Sequence, residues 1–139
     1  MNHREVTLVS APTAAGENFI KLLLLKGIPF AALVNNAEEK NRLALLGVEQ
    51  FILLDTKSRE PWMIPDFPIG NIYLFENTLP LCCRYIQICR GWSSKRLIVI
   101  TGRMNPRGIY KGLGANEVIY SKSDNLSFLV SDSLDSIKQ

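Results

Sequence analysis

The sequence predicts an α/β fold: three layers, with a doubly wound parallel sheet between helices, about six strands in the order 3-2-1-4-5-6. Three observations carry this expectation. Short apolar runs rich in β-branched residues alternate with amphipathic stretches of helical period. Glycines at Gly27, Gly47 and Gly114 stand where those helical stretches should end. The chain has 139 residues, which suits one domain able to bury a core without metal or disulfide staples.

Val6 to Ala11 (VTLVSA), bounded by Pro12, reads as the first buried strand. Residues 14 to 26 read as a helix with an apolar stripe through Phe19, Ile20, Leu23 and Leu24. Phe30 to Val34 is the second strand, Ala37 to Leu46 the second helix, and Phe51 to Leu54 the third strand, stopped by Asp55. Residues 56 to 70 are punctuated by Pro61, Pro65, Pro68 and Gly70, so they read as a loop with at most one helical turn. Asn71 to Phe75 follows as a strand. Leu79 to Trp92 is a helix with Cys82, Tyr85, Ile86 and Cys89 on one face, and Arg96 to Thr101 is the fifth strand. Asn105-Pro106 suits an N-cap followed by proline at the first helical position, opening a helix that ends at Gly114. Glu117 to Tyr120 is the sixth strand, and Asp124 caps a final helix through Leu126, Leu129, Val130, Leu134 and Ile137.

The order is thus βαβαβ, loop, βαβαβ, α, which is Rossmann-like: a single domain over residues 1–139 whose halves run over about 1–55 and 71–139. Leu46-Gly47-Val48-Glu49-Gln50-Phe51-Ile52 echoes Leu113-Gly114-Ala115-Asn116-Glu117-Val118-Ile119, either as a repeat of the two halves or as the ordinary form of a helix-to-strand turn. These elements use nearly the whole chain, leaving no separate substrate domain.

Composition excludes several functions. The net charge of +3 comes from scattered Lys and Arg, without runs or an aromatic stacking platform, so no nucleic-acid partner is expected. The apolar stretch from Ile20 to Leu25 is interrupted by Lys21 and falls far short of the roughly 20 residues of a membrane span, so no direct membrane insertion is expected. No secretory segment precedes the first strand, and Cys82, Cys83 and Cys89 are an odd set, which together suit reduced thiols in the cytoplasm. The sole histidine is His3, which argues against His-based metal sites and Ser-His-Asp catalysis.

The doubly wound fold places ligands at the carboxyl ends of the strands, in the crevice between strands 1 and 4. The first strand-to-helix turn there is Ser10, Ala11, Pro12, Thr13, Ala14, Ala15 and Gly16. A dinucleotide turn uses early glycines so that the backbone can approach the pyrophosphate, and a last one so that the helix packs on the sheet. Only the last, Gly16, is present. The helix N-terminus keeps its dipole, and Ser10 and Thr13 add hydroxyls, whereas Pro12 removes an amide donor. Two readings stay open: a weak site for NAD(P) or an adenine nucleotide, or a turn with no cofactor.

At the end of strand 2, where an acid would hold the ribose hydroxyls, stand Asn35 and Asn36. They read either as a hydroxyl contact, with Arg42 beyond for a 2′-phosphate, or as a turn capping the second helix. The other strand ends supply Asp55 and Thr56, then Glu76, Asn77 and Thr78, then Thr101, Gly102 and Arg103. Glu76 suits a general base or a loop polar group. No catalytic residue and no metal site is assigned, and the cysteines read as small core hydrophobes.

The layout resembles the nucleotide-binding domain of regulators of potassium conductance, also called KTN or TrkA-N domains. Ile72 to Phe75, then Lys95 to Ile100, Asn105-Pro106 and Leu113-Gly114-Ala115-Asn116-Glu117-Val118-Ile119 are similar to the later strands of that family and its "LGADEVI" segment. Leu43 to Asp55 resembles its "L-x-x-L-G-V" run ending in an acidic turn. The resemblance implies a domain that binds NAD, ATP or a related nucleotide through the turn Ser10 to Gly16, Asn35 and Asp55. It also implies a homodimer that acts on a membrane transporter or another protein domain. The chain departs from the family in its lost glycines and in Asn35 at the ribose position. The first half also resembles atypical short-chain dehydrogenases, with Ser10, Thr13 and Gly16 at the G-x-x-G-x-x-G positions, but no Tyr-x-x-x-Lys pair is present. The expectation is a non-catalytic regulatory or assembly domain with weak or lost nucleotide binding. A dehydrogenase-like nucleotide-binding protein and a pure interaction module are the alternatives.

Overall fold

Strands buried at every residue, as β2, β4 and β5 are, or at all but the first, as β1 is, need cover on both faces, and they find it in helices packed above and below one parallel sheet. A computed structural model describes residues 5–54, 67–92, 95–103 and 107–121 of the chain. In chain order the elements are β1 (Val6–Ser10), α1 (Ala14–Lys26), β2 (Phe30–Val34), α2 (Ala37–Leu45), β3 (Phe51–Leu53), β4 (Ile69–Phe75), α3 (Leu79–Cys89), β5 (Leu97–Thr101), α4 (Arg107–Leu113) and β6 (Glu117–Tyr120). The six strands are parallel and run β3-β2-β1-β4-β5-β6, the order expected from the sequence. The Asn105-Pro106 cap, most of the proline-rich loop and the final helix lie outside the described residues.

Side-chain alternation divides the core into two. Val9, Ala32, Tyr73 and Ile98 face α1 and α2, where Phe19, Ile20, Leu23 and Leu43 are fully buried. The Phe19 ring lies 4.9 Å from Tyr73 and 5.5 Å from Phe75. Leu8, Leu33, Leu74 and Val99 face α3 and α4, where Cys82, Tyr85, Ile86, Cys89 and Tyr110 pack. Burial pushes the thiols of Cys82 and Cys89 up to about 12, so both are inert core groups.

Differences from the sequence expectation fall at element ends. β4 begins at Ile69, not Asn71, because Val6 N donates to Pro68 O at 2.9 Å and Val6 pairs with Ile69 before a register shift toward Leu8. α3 stops at Cys89, where Arg90 N closes on Ile86 O at 2.9 Å. Gly27 ends α1 in the left-handed region at φ 68°, and its amide reaches back to Leu23 and Leu24 carbonyls. The carboxyl ends of β1 and β4, paired through Ser10 and Leu74, open the switch point that positions the site.

Candidate nucleotide site at the switch point

The turn after β1 is shaped by how closely α1 sits on the sheet. A Cβ on Gly16 would stand 2.7 Å from Ala11 Cα and 3.1 Å from the Phe75 ring, so only glycine fits. Ala11 is fully buried against it. Thr13 is the N-cap, and its Oγ1 accepts from Gly16 N at 3.0 Å, while Glu17 N donates to Thr13 O. The cap therefore consumes one of the free amides at the helix N-terminus, that of Gly16. Glu17, also in the first turn, pairs with Arg42 Nε at 3.0 Å across α1 and α2. Ser10 is 1% exposed; its hydroxyl lies on the α3 side of the sheet beside Tyr85, and neither hydroxyl reaches good hydrogen-bond geometry with a partner among the described residues.

At the end of β2 the polar groups serve the backbone. Asn36 is the N-cap of α2, its Oδ1 accepting from Glu39 N at 2.8 Å. Glu39 reaches back to Asn35 N at 3.2 Å, a variant of the capping box. Asn36 Nδ2 also donates to Asn35 Oδ1 at 3.0 Å. Glu39 is buried, and burial raises its carboxyl above the usual value, against the smaller opposing effects of the Asn35 amide and Arg42. Sequence reasoning missed Glu39; the signal was its position three residues beyond Asn36.

Glu76 closes the other wall. Its side chain is 4% exposed, yet four donor contacts converge on it. Thr101 Oγ1 donates to Oε1 at 2.7 Å, Arg103 Nε to Oε1 at 3.1 Å and Arg103 Nη2 lies 3.1 Å from Oε2. The Tyr110 hydroxyl donates to Oε2. Burial would raise the Glu76 carboxyl, but Arg103, Tyr110 and Thr101 together hold it below the ordinary range. Such a carboxylate is ionised and saturated with donors, unlike a base poised near neutral pH. Tyr110, pushed up by burial first and by Glu76 next, is equally far from titrating.

Between these walls lies a cleft of about 330 Å³, lined by Thr13, Ala14 and Ala15 on the α1 side. Phe75, Glu76, Ile100, Thr101, Gly102 and Ser121 line the β4–β5 side. The structure thus brings Thr13, Ala14, Ala15 and Glu76 together. Ser10, Ala11 and Gly16 are buried behind the turn beside Pro12, and Asn35 and Asn36 stand apart from the cleft at the end of β2. Asp55 and Thr56 lie outside the described residues. Among the described residues, no group of His, Cys, Asp or Glu side chains could hold a metal ion, and no helix is long and apolar enough to cross a membrane.

No protein-family model matches the sequence, and no curated protein matches it either. Solved structures do match by shape. The TrkA-N domain of the inner membrane protein ybaL from Escherichia coli superposes with a TM-score of 0.62 at 13% identity, covering 96% of each chain. The chain has the fold of a TrkA-N domain. The NAD(P)-binding domain of an exopolyphosphatase-related protein from Archaeoglobus fulgidus also superposes, with a TM-score of 0.61 at 16% identity over 97% of this chain and 98% of that one. The GsuK channel bound to NAD gives 0.62 at 13% identity over 85% of this chain, which corresponds to 22% of the channel chain. At these identities the likeness establishes the fold alone.

Proposed function

We propose that this TrkA-N-type domain is a non-catalytic regulatory or assembly module in which binding of NAD(P) or an adenine nucleotide is weak or lost. The observation that carries the reading is the α1 turn. Thr13 occupies the Gly16 amide, Ala11 fills the space behind the turn, and Glu17 sets a carboxylate in the first turn. A diphosphate there meets fewer donors and more Cβ atoms than a glycine-rich turn offers. On the opposite wall the Glu76 carboxylate takes up the Thr101, Arg103 and Tyr110 donors, leaving fewer for a phosphate in the crevice. The NAD(P)-binding domain of the Archaeoglobus protein and the NAD-bound GsuK channel keep nucleotides in view as the ligand class to test.

In this reading the module works in the cytoplasm as a homodimer, through contact with a membrane transporter or another protein domain. Leu25 on α1, Leu45 on α2 and Leu53 on the edge strand β3 are the most exposed of the large apolar side chains among the described residues and are available for such contact. Sedimentation velocity with and without NAD, NADH, NADP, ATP and ADP tests the assembly part. A concentration-dependent dimer that the nucleotides leave unchanged is expected. A monomer at all concentrations, or a dimer that forms only with a nucleotide, would overturn it.

A further inference from the structure

A second cavity, of about 170 Å³, opens at the carboxyl ends of β5 and β6, and Thr101, Arg103, Arg107, Val118 and Tyr120 line it. It lies beyond the switch-point cleft, sharing only Thr101 with it. Its two guanidinium groups are held differently. Arg103 is fixed from behind: Nε and Nη2 grip the buried Glu76 carboxylate, and the Arg103 backbone N donates to Thr101 Oγ1 at 3.0 Å. That bidentate clamp leaves Nη1 without a partner among the described residues. The Arg103 side chain is nevertheless 56% exposed, so the free end is reachable. Arg107, exposed in the first turn of α4, makes no hydrogen bond or ion pair among the described residues. Glu76 thus compensates Arg103, and the positive charge of Arg107 on the cavity has no partner among the described residues.

An oxyanion relieves that imbalance and takes charge-assisted hydrogen bonds from both guanidiniums. The volume admits a phosphate or carboxylate with a small substituent, and is below the size of ordinary cofactor pockets. Val118 and the part-exposed Tyr120 ring give that substituent an apolar wall. We propose that the β5–β6 pocket binds the oxyanion end of a small molecule, a monoester phosphate or a carboxylate, between Arg103 and Arg107 and against Tyr120. This site is separate from the proposed nucleotide crevice and does not depend on it.

The test titrates phenyl phosphate and benzoate, in separate experiments at low salt, into the full chain while amide chemical shifts are followed. Saturable binding with a dissociation constant of about 1 mM is expected for at least one probe, and the tighter one assigns phosphate or carboxylate chemistry. Arg107→Ala weakens it by about tenfold without moving the melting temperature, which shows that the variant folds. Lys111→Ala removes the same charge from an exposed position of α4 outside the cavity and leaves binding unchanged. No saturation by either probe at about 10 mM, or equal weakening in Lys111→Ala, overturns the assignment. NAD binding that leaves bound phenyl phosphate in place would count against the reading of the crevice while leaving this pocket intact.

Discussion

Gly16 and Ala11 touch so closely that a Cβ on Gly16 would stand 2.7 Å from Ala11 Cα and 2.8 Å from its Cβ. The last glycine of the turn is therefore a packing residue that sets α1 on the sheet. Gly16→Ala should cost about 1–3 kcal/mol despite the better helix propensity of alanine, because the backbone of the turn must move. Adding Ala11→Gly should not rescue it, since the clash with the α-carbon stays. Urea midpoints of the two variants check this.

Glu76 ties β4 to β5 and α4 through Thr101, Arg103 and Tyr110. Glu76→Gln should cost about 2 kcal/mol at pH 7, the scale of lost hydrogen bonds to a charged group. The acid is held below its ordinary value, so its stabilisation is fully present above the unfolded-state value of about 4.3 and disappears as pH falls through the lower folded one. The gap between wild type and Glu76→Gln should therefore close on acidification below about pH 4 in denaturant melts.

Two buried tyrosines make opposite predictions. Tyr110 donates to Glu76, so Tyr110→Phe should cost about 2 kcal/mol. Tyr85 is 2% exposed and its hydroxyl completes no hydrogen bond among the described residues, so Tyr85→Phe should be neutral or stabilising. Paired urea melts at neutral pH separate the two.

Glu39 behaves as the reverse of Glu76. Its carboxyl is raised by burial, so its ionisation works against folding once the pH exceeds the unfolded value of about 4.3. Glu39→Gln keeps an oxygen for Asn35 N and removes the buried charge, so it should raise the urea midpoint at pH 7 and have no effect at acid pH. Asn36→Ala, which removes the α2 cap, should cost about 1 kcal/mol.

The strand order was legible because the β1, β2 and β5 runs are mostly apolar, and parallel pairing follows once helices separate them. The role of Gly16 was legible too, since a glycine two residues into α1 has few other uses. Partners set by register were not. Arg103 and Tyr110 lie far along the chain from Glu76, and only the pairing of Phe75 with Ile100 brings their strands level. Nor does the sequence show that Ser10 turns toward α3 while Thr13 turns back to cap α1, because both are small polar residues of one turn.

On the proposed function the α1 turn holds a nucleotide diphosphate weakly or not at all. Calorimetric titration of the chain with NAD, NADH, NADP, ATP and ADP measures this directly. The expected result is no saturable heat up to about 1 mM for every nucleotide. Saturable binding of one of them with a dissociation constant of about 10 μM or below, lost in a variant that adds bulk at the turn such as Ala14→Trp, would contradict it.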